Sequence, residues 1–319
     1  MLKRTGIWTM VLIAVFVSTT CFGAEDQRIT IAGSSTVRPI VQKASEAFRK
    51  ANPTVKFVIG GGGSSHGVKS AGTSKVQLGM ASRNLKDKET KQYKDLVPVK
   101  VGLDGIAVII NAKNPITKIT KKQVQDIYTG KITNWKDVGG ADAPISLISK
   151  EEGRSTLELF LKYFGLEGKE IAQGKRKVMV HRVKPPKGSK DSDDGYSKAT
   201  STLIGPNRQA IGYISTKPNA IAYVSVGTAQ EIAAKGGRVK LLDLDGVKAT
   251  VANVASETYP LRRPLNVITK GQASGDLKKF IDFMLSDAGQ KIVEGLEFVP
   301  LKKADTPAKK AVAKVASKN

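Results

Sequence analysis

Four segments of this chain share one order of features: an apolar strand, then small polar residues, then the start of a helix. Unpaired N–H groups at a helix start attract anions, and ligands of open α/β sheets bind where parallel strands end. This order therefore predicts an α/β fold with an oxyanion site at the strand ends. The segments are Gly33-Ser34-Ser35-Thr36, Gly63-Ser64-Ser65, Ala81-Ser82-Arg83 and Glu152-Gly153-Arg154-Ser155-Thr156.

Each segment taken alone also has a purely structural interpretation. Ser35 and Thr36 fit a helix cap, and residues 60–63 fit a flexible turn. Arg83 and Arg154 offer planar forks of donors that suit a tetrahedral oxyanion, although exposed arginines are commonly just solvated. We favour a shared anion site, because four such segments fall at equivalent places in the pattern.

The length of 319 residues favours about two domains, on a prior of ~150 residues each. Two joints are predicted, the first at residues 102–105 and the second near Tyr259, where the chain would return to the first domain. The expected fold has two lobes, each a mainly parallel sheet flanked by helices, joined by two hinge crossings. Lobe 1 is expected to comprise residues 24–104 and 260–301, and lobe 2 residues 105–259.

The spacing of apolar residues predicts the individual elements. Ser155 and Glu158 fit a capping box at the start of one helix. Residues 182–198, which contain two prolines and two glycines, are predicted to form an exposed, mobile loop. Helices are predicted at residues 37–48, 120–128, 155–164 and 275–286, and strands at 29–32, 56–59, 76–81, 106–111, 145–149, 210–214 and 239–242.

The N-terminus has the order of a secretory signal peptide. Two basic residues precede an apolar run at 7–17 that is too short to span a bilayer, and small and polar residues follow. We expect residues 1–23 to be removed and the mature chain to be periplasmic or otherwise extracytoplasmic. Cys21, the single cysteine, lies in this leader, and a lipid anchor on it is the alternative. Residues 302–319, rich in Ala and Lys, are predicted to form a basic disordered tail.

The chain is strongly basic. Loss of the leader takes the formal net charge from +24 to +22, because Lys3 and Arg4 leave with it. Such a charge favours anionic partners. Aromatic residues make up only 6% of the chain, and no basic stretch is interleaved with them as single-strand binders require. We therefore expect no nucleic-acid partner, and a basic surface that is solvated or contacts an anionic envelope surface.

Enzymatic chemistry is not indicated. The chain has only His66 and His181, no cysteine after processing, and none of the motifs HExxH, GxSxG or a phosphate-loop lysine. The acidic residues at 191–194 lack the glycine and terminal glutamate of a calcium site. We expect no catalytic residue, no metal site and no cofactor.

A series of ordered motifs runs through residues 29–301: IAGSSTVRPI, GGGSSHGVK, LGMASRNLK, GLDGIAVIIN, DIYTGKITNWKDVGG, KEEGRSTLELF, AIGYIS, YPLRRPLNVITKG and FIDFMLSDAGQKIVEGLEFVPL. Together they resemble the phosphate-binding subunits of bacterial ABC importers, which are periplasmic type II binding proteins. This resemblance implies a two-lobed receptor that captures inorganic phosphate in the inter-lobe cleft, and we expect that receptor to be a monomer. It would deliver phosphate unaltered to an ABC transporter permease in the membrane.

The resemblance also implies which residues contact the ligand, because family members hold it through the loops that match these segments. Hydroxyls and backbone of the first two loops contribute, as does a residue at the position of Arg83. The predicted contacts are Ser35, Thr36, Ser64, Ser65, Ser82, Arg83, Gly153, Arg154, Ser155 and Thr156.

Two places depart from the family pattern. Well-known members carry an aspartate where this chain has Arg83, and that carboxylate accepts the proton of hydrogen phosphate. Arg154 and Ser155 stand where serine and glycine are usual. The alternatives are the same fold binding sulfate, molybdate or a phosphorylated small molecule, an envelope signalling or adhesion receptor, and a secreted phosphoesterase.

Overall fold

The computed structural model describes residues 28–186, 188–189 and 195–302. The predicted signal peptide, part of the predicted 182–198 loop and residues 303–319 of the predicted tail lie outside the described residues. Within the described part, no helix combines the length and the apolar character needed to cross a membrane.

Strands and helices alternate along most of the chain. The strands are β1 (Arg28–Gly33), β2 (Lys56–Gly62), β3 (Leu78–Ala81), β4 (Leu96–Asn111), β5 (Lys118–Ile119), β6 (Ser146–Ser149), β7 (Leu166–Gln173), β8 (Arg176–Val183), β9 (Thr200–Leu203), β10 (Ala220–Ser225), β11 (Val239–Leu241), β12 (Asp243–Leu244) and β13 (Arg262–Lys270). The helices are α1 (Arg38–Ala51), α2 (Ser64–Gly72), α3 (Asp87–Gln92), α4 (Lys121–Tyr128), α5 (Ser155–Phe164), α6 (Asn207–Thr216), α7 (Val226–Ala234), α8 (Val251–Ala255), α9 (Gly275–Leu285) and α10 (Asp287–Gly295), with a 3-10 turn at Trp135–Val138.

One long strand, β4, belongs to both lobes. In lobe 1 the strand order is β2-β1-β3-β13-β4, and in lobe 2 it is β4-β10-β6-β9-β8-β7, with β11 also paired to β4. β1 is parallel to β2 and β3, and β6 is parallel to β10 and β9. The predicted two-lobed α/β fold is confirmed, and the predicted joint at residues 102–105 lies inside β4.

The sheets contain more antiparallel pairing than the prediction of mainly parallel sheets implies. β4 and β13 cross between the lobes in opposite directions, so their long pairing is antiparallel. β7 and β8 form a hairpin, and β8 is antiparallel to β9. The parallel strands β1, β2, β3 and β6 are the ones whose carboxyl ends carry the four predicted segments.

Each lobe has its own apolar core, which holds these strand ends in place. In lobe 1, α1 buries one face as its spacing predicts, and Phe48 contacts Phe280 with 5.4 Å between ring centroids. In lobe 2, Phe160 of α5 stacks on Tyr223 of β10 at 3.6 Å. Both helices therefore lie fixed against the sheets behind the strand ends.

Two predictions of secondary structure were wrong. Residues 210–214, predicted as a strand, lie inside α6, where the apolar side chains are buried at helical spacing. A short apolar run does not distinguish a helix from a strand by its period. Arg182, predicted in an exposed loop, is buried in β8, where Glu167 of β7 pairs with it at 2.8 Å.

Candidate anion-binding site

Four serine hydroxyls from four loops meet between the lobes. Ser82 Oγ lies 3.0 Å from Ser34 Oγ and 2.6 Å from Ser155 Oγ, and Ser64 Oγ lies 3.0 Å from Ser155 Oγ. Each of the four residues is at most 2% exposed. We call Ser34, Ser64, Ser82 and Ser155 the serine cluster; the first three belong to lobe 1 and the fourth to lobe 2.

Glycines allow the three loops of lobe 1 to come this close. Gly33 has φ +137°, and a Cβ there would lie 2.2 Å from the carbonyl oxygen of Met80, so a side chain is not accommodated. Gly63 has φ +85° and donates its N–H to the Gly33 carbonyl at 3.0 Å. The ends of β1, β2 and β3 therefore lie side by side.

Two helices begin at the serine cluster. α2 starts at Ser64 and α5 at Ser155, and neither has a side-chain cap at its first turn. The free N–H groups and the positive end of each helix dipole favour negative charge here. The predicted capping box of Ser155 with Glu158 was wrong, because Ser155 bonds within the cluster and Glu158 faces Lys86 at 2.6 Å.

The cavity at the serine cluster brings together most of the predicted contact residues. Two more of them, Ser65 and Gly153, lie at its edge, where the Ser65 N–H donates to the Gly153 carbonyl across the lobes at 3.0 Å. The cavity is lined by Ser34, Ser35, Thr36, Gly63, Ser64, Ser82, Arg154, Ser155, Thr156 and Gly205.

A fully buried arginine, Arg263 of β13, links both lobes at this site. It donates to Thr36 Oγ1 at 3.2 Å and to Thr156 Oγ1 at 2.8 Å, and it pairs with Asp104 of β4 at 2.7 Å. Sequence reasoning missed Arg263 and Asp104. The available signal was the pair of adjacent arginines in the motif YPLRRPLNVITKG.

Lys150, the residue after β6, is also buried; it does not line the cavity, but it interacts electrostatically with Arg154 and Arg263 at the site. It is 1% exposed, and its Nζ has no hydrogen-bond partner in the described part of the chain. Burial lowers the pKa of Lys150 to about 7, and the positive charges of Arg154 and Arg263 contribute to the lowering. An anion in the cavity would supply the missing counter-charge. Sequence reasoning missed this residue too, although a lysine directly after a buried strand was visible.

Arg154, a predicted ligand contact, lines the cavity. Its Nε and Nη2 both donate to Glu151 Oε2, at 2.9 and 2.6 Å. Gly205 allows the guanidinium to lie close, since a Cβ there would be 2.2 Å from Nη2. Arg154 therefore adds a partly neutralised positive charge at the edge of the site.

Arg83, the other predicted arginine contact, does not line the cavity. Its guanidinium pairs with Glu89 at 2.7 Å and with Glu158 at 3.1 Å. The two histidines also lie away from the lining. His66 Nε2 is 3.3 Å from Ser70 Oγ on α2, and burial lowers the pKa of His181 to about 3. The site is thus built from hydroxyls, helix starts and cations, which are groups that bind an oxyanion.

Comparisons with known proteins identify relatives of this chain. A family model described as a PBP superfamily domain matches residues 22–288. The phosphate-binding protein PstS of Bacillus subtilis is 32% identical over 274 residues, covering 86% of this chain and 80% of that protein. PstS of Borreliella burgdorferi is 26% identical over 300 residues, covering 92% and 99%. A phosphate ABC transporter substrate-binding protein of Clostridium perfringens, solved with bound phosphate, is 32% identical with a TM-score of 0.72, covering 86% of this chain and 100% of that one.

Proposed function

This chain belongs to the phosphate-binding proteins of the PBP superfamily, and we propose from this premise which of its atoms hold the ligand. It captures phosphate for an ABC transporter. The observation that carries the proposal is the serine cluster, in which four buried hydroxyls from both lobes converge. We place the phosphate oxygens against these hydroxyls and the first N–H groups of α2 and α5, except that of Ser65, which donates to Gly153.

Thr36 is the best prepared of the hydroxyl donors. Its Oγ1 accepts one hydrogen bond from Arg263 at 3.2 Å and another from Asn207 Nδ2 at 3.0 Å. Both lone pairs are then used, so the O–H is left to donate. Because Thr36 lines the cavity, this donor is oriented for a phosphate oxygen; the cavity has a volume of about 10 Å³, so the serine cluster must part to admit the anion.

Lys150 supplies the charge that matches phosphate. Two other cations stand at the site, but Asp104 pairs with Arg263 and Glu151 pairs with Arg154. Lys150 has no such partner among the described side chains. Because Lys150 is buried, the local dielectric is low and its attraction to an anion is strong.

Membership of this family also supports proposals about phosphate delivery, location, oligomeric state and lobe boundaries. We propose that phosphate leaves unaltered for a membrane permease, and that the chain acts outside the cytoplasm as a monomer. The lobe boundaries are proposed near residues 104 and 260. In support, the apolar core of lobe 2 spans Ile106 to Leu261 with the addition of Val299, and that of lobe 1 comprises residues before 102 and after 264.

Phosphate titration of the full chain by calorimetry tests this function. We expect one site with a dissociation constant in the micromolar range or below. Sulfate and molybdate are the comparison ligands, since the alternatives to phosphate are other tetrahedral oxyanions. Heat from sulfate or molybdate together with silence from phosphate would contradict the proposal.

Single alanine variants of the serine cluster test the placement of the ligand. Ser64→Ala and Ser82→Ala are each expected to weaken phosphate binding by about 10- to 150-fold, because a hydrogen bond to a charged group contributes roughly 1.5 to 3 kcal/mol. Ser256→Ala, on an exposed turn of lobe 2, is the control and should bind as the unmodified chain does. If both cluster variants bind with unchanged affinity, phosphate is held elsewhere.

A further inference from the structure

A network of four charged side chains spans the two lobes beside the serine cluster. Lobe 1 contributes Arg83, Lys86 and Glu89, and lobe 2 contributes Glu158 of α5. Glu158 lies 3.1 Å from Arg83 Nε and 2.6 Å from Lys86 Nζ. None of the four lines the cavity of the serine cluster.

Within lobe 1, Arg83 and Glu89 form an ion pair that does not depend on lobe 2. Arg83 is 5% exposed and pairs with both oxygens of Glu89, at 2.8 and 2.7 Å. Burial raises the pKa of Glu89, but hydrogen bonds from Arg83 and from the Lys86 backbone outweigh it, and the pKa lies below its usual value. Arg83 and Glu89 therefore form a fixed ion pair.

Four of the five N–H groups of Arg83 donate hydrogen bonds within the protein. Its Nη1 donates to Asn84 O and to Glu89, and its Nη2 donates to Ser65 Oγ and to Glu89. Its Nε faces Glu158 in the ion pair between the lobes. The Nε N–H makes no hydrogen bond among the described residues, but Nε lies next to Glu158, and Arg83 does not line the cavity.

The network is attached to both sides of the anion site. Ser65, which follows Ser64 of the cluster, accepts from Arg83 at 3.1 Å and donates to Glu158 at 3.4 Å. Glu158 stands one turn after Ser155 on α5. Closure of these ion pairs therefore brings Ser155 towards Ser64.

We propose that Glu158 and the Arg83–Lys86 pair form a latch between the lobes, and that Arg83 acts on closure of the cleft rather than on the anion. This inference rests on phosphate being bound at the serine cluster. When the lobes separate, Glu158 loses both cations and lobe 1 keeps an unmatched positive charge. The latch therefore stabilises the closed form and slows the escape of phosphate.

The test is Glu158→Gln in the full chain, which keeps the shape of the side chain and removes its charge. We expect phosphate affinity to fall by about 5- to 20-fold, within the usual range of coupling between closure and binding. The loss should arise from faster dissociation in stopped-flow experiments, with association little changed. Small-angle X-ray scattering without phosphate should give a larger radius of gyration than for the unmodified chain.

Two further variants make the result decisive. Glu167→Gln removes a carboxylate from an ion pair of similar exposure that lies within lobe 2, and it should leave dissociation unchanged. Lys86→Met tests the same latch from the more exposed side, and in combination with Glu158→Gln its effect should be less than additive. The latch would be overturned if the unmodified chain binds phosphate and both Glu158→Gln and Lys86→Met release phosphate at the same rate as the unmodified chain. Failure of the unmodified chain to bind phosphate would instead overturn the proposed function.

Discussion

Replacing Arg263 by methionine is expected to lower the free energy of unfolding by about 3 to 5 kcal/mol, the usual cost of removing one partner of a buried ion pair. The side chains of Arg263 and Asp104 are 0% and 1% exposed, so the Asp104 carboxylate would be left buried without a counter-charge. Thr36 and Thr156 would each lose a hydrogen bond. Urea denaturation measures the loss of stability, and calorimetry should show phosphate binding weakened by at least ~10-fold.

The neighbouring residue provides a matched control. Arg262 is one-third exposed and pairs with Glu257 at 2.8 Å, so Arg262→Met should change the free energy of unfolding by less than about 1 kcal/mol. Combining Asp104→Asn with Arg263→Met should recover part of the stability, because no charge is then buried alone. Equal free energies of unfolding for the two arginine variants would show that the Arg263–Asp104 ion pair contributes no more to stability than the exposed pair of Arg262.

Lys150→Met is expected to weaken phosphate binding by about 10- to 150-fold, on the scale of a lost charge-assisted hydrogen bond. The same variant should not destabilise the unliganded protein, because it removes a buried cation that has no described partner. Calorimetry and urea denaturation of one preparation measure both effects. A variant with full phosphate affinity would exclude Lys150 from the site.

Lys150 also predicts how affinity depends on pH. Its pKa is about 7 without ligand, lowered by burial and by Arg154 and Arg263, and a bound anion raises it. The contribution of Lys150 to phosphate affinity is therefore complete below about pH 7 and declines as the pH rises towards the pKa of the complex.

The Lys150→Arg variant keeps a positive charge throughout this range, so the phosphate affinity of the variant should fall less between pH 7 and 9. The titration of phosphate itself affects both proteins equally and cancels in the comparison. Parallel pH curves would contradict a role for Lys150.

Much of the site could be predicted because its signals are local. The order of strand, small polar residues and helix marks Thr36, Ser64, Ser82 and Ser155, all of which line the cavity. The sequence pattern did not show which of the adjacent serines, Ser34 or Ser35, belongs to the serine cluster. Ser34, rather than Ser35, belongs to the serine cluster, whereas Ser35 only lines the cavity.

Residues whose roles depend on distant partners could not be predicted. Arg263 is 107 positions from Thr156, and only the crossing of β13 with β4 brings them together. Arg83 occupies one of the predicted loops, yet its guanidinium forms ion pairs with Glu89 and Glu158, and the latter belongs to the other lobe. The partners of Arg83 depend on how the lobes close, and a local sequence pattern does not encode that arrangement.

A crystal structure of the full chain with phosphate tests the central claim most directly, because it reveals the atoms that touch each phosphate oxygen. We expect one phosphate between the lobes, with oxygens within about 3.2 Å of hydroxyls of the serine cluster, of Thr36 Oγ1 and of Lys150 Nζ, and with Arg83 still paired to Glu89 and Glu158. Phosphate bound away from the serine cluster, or held directly by Arg83, would contradict it.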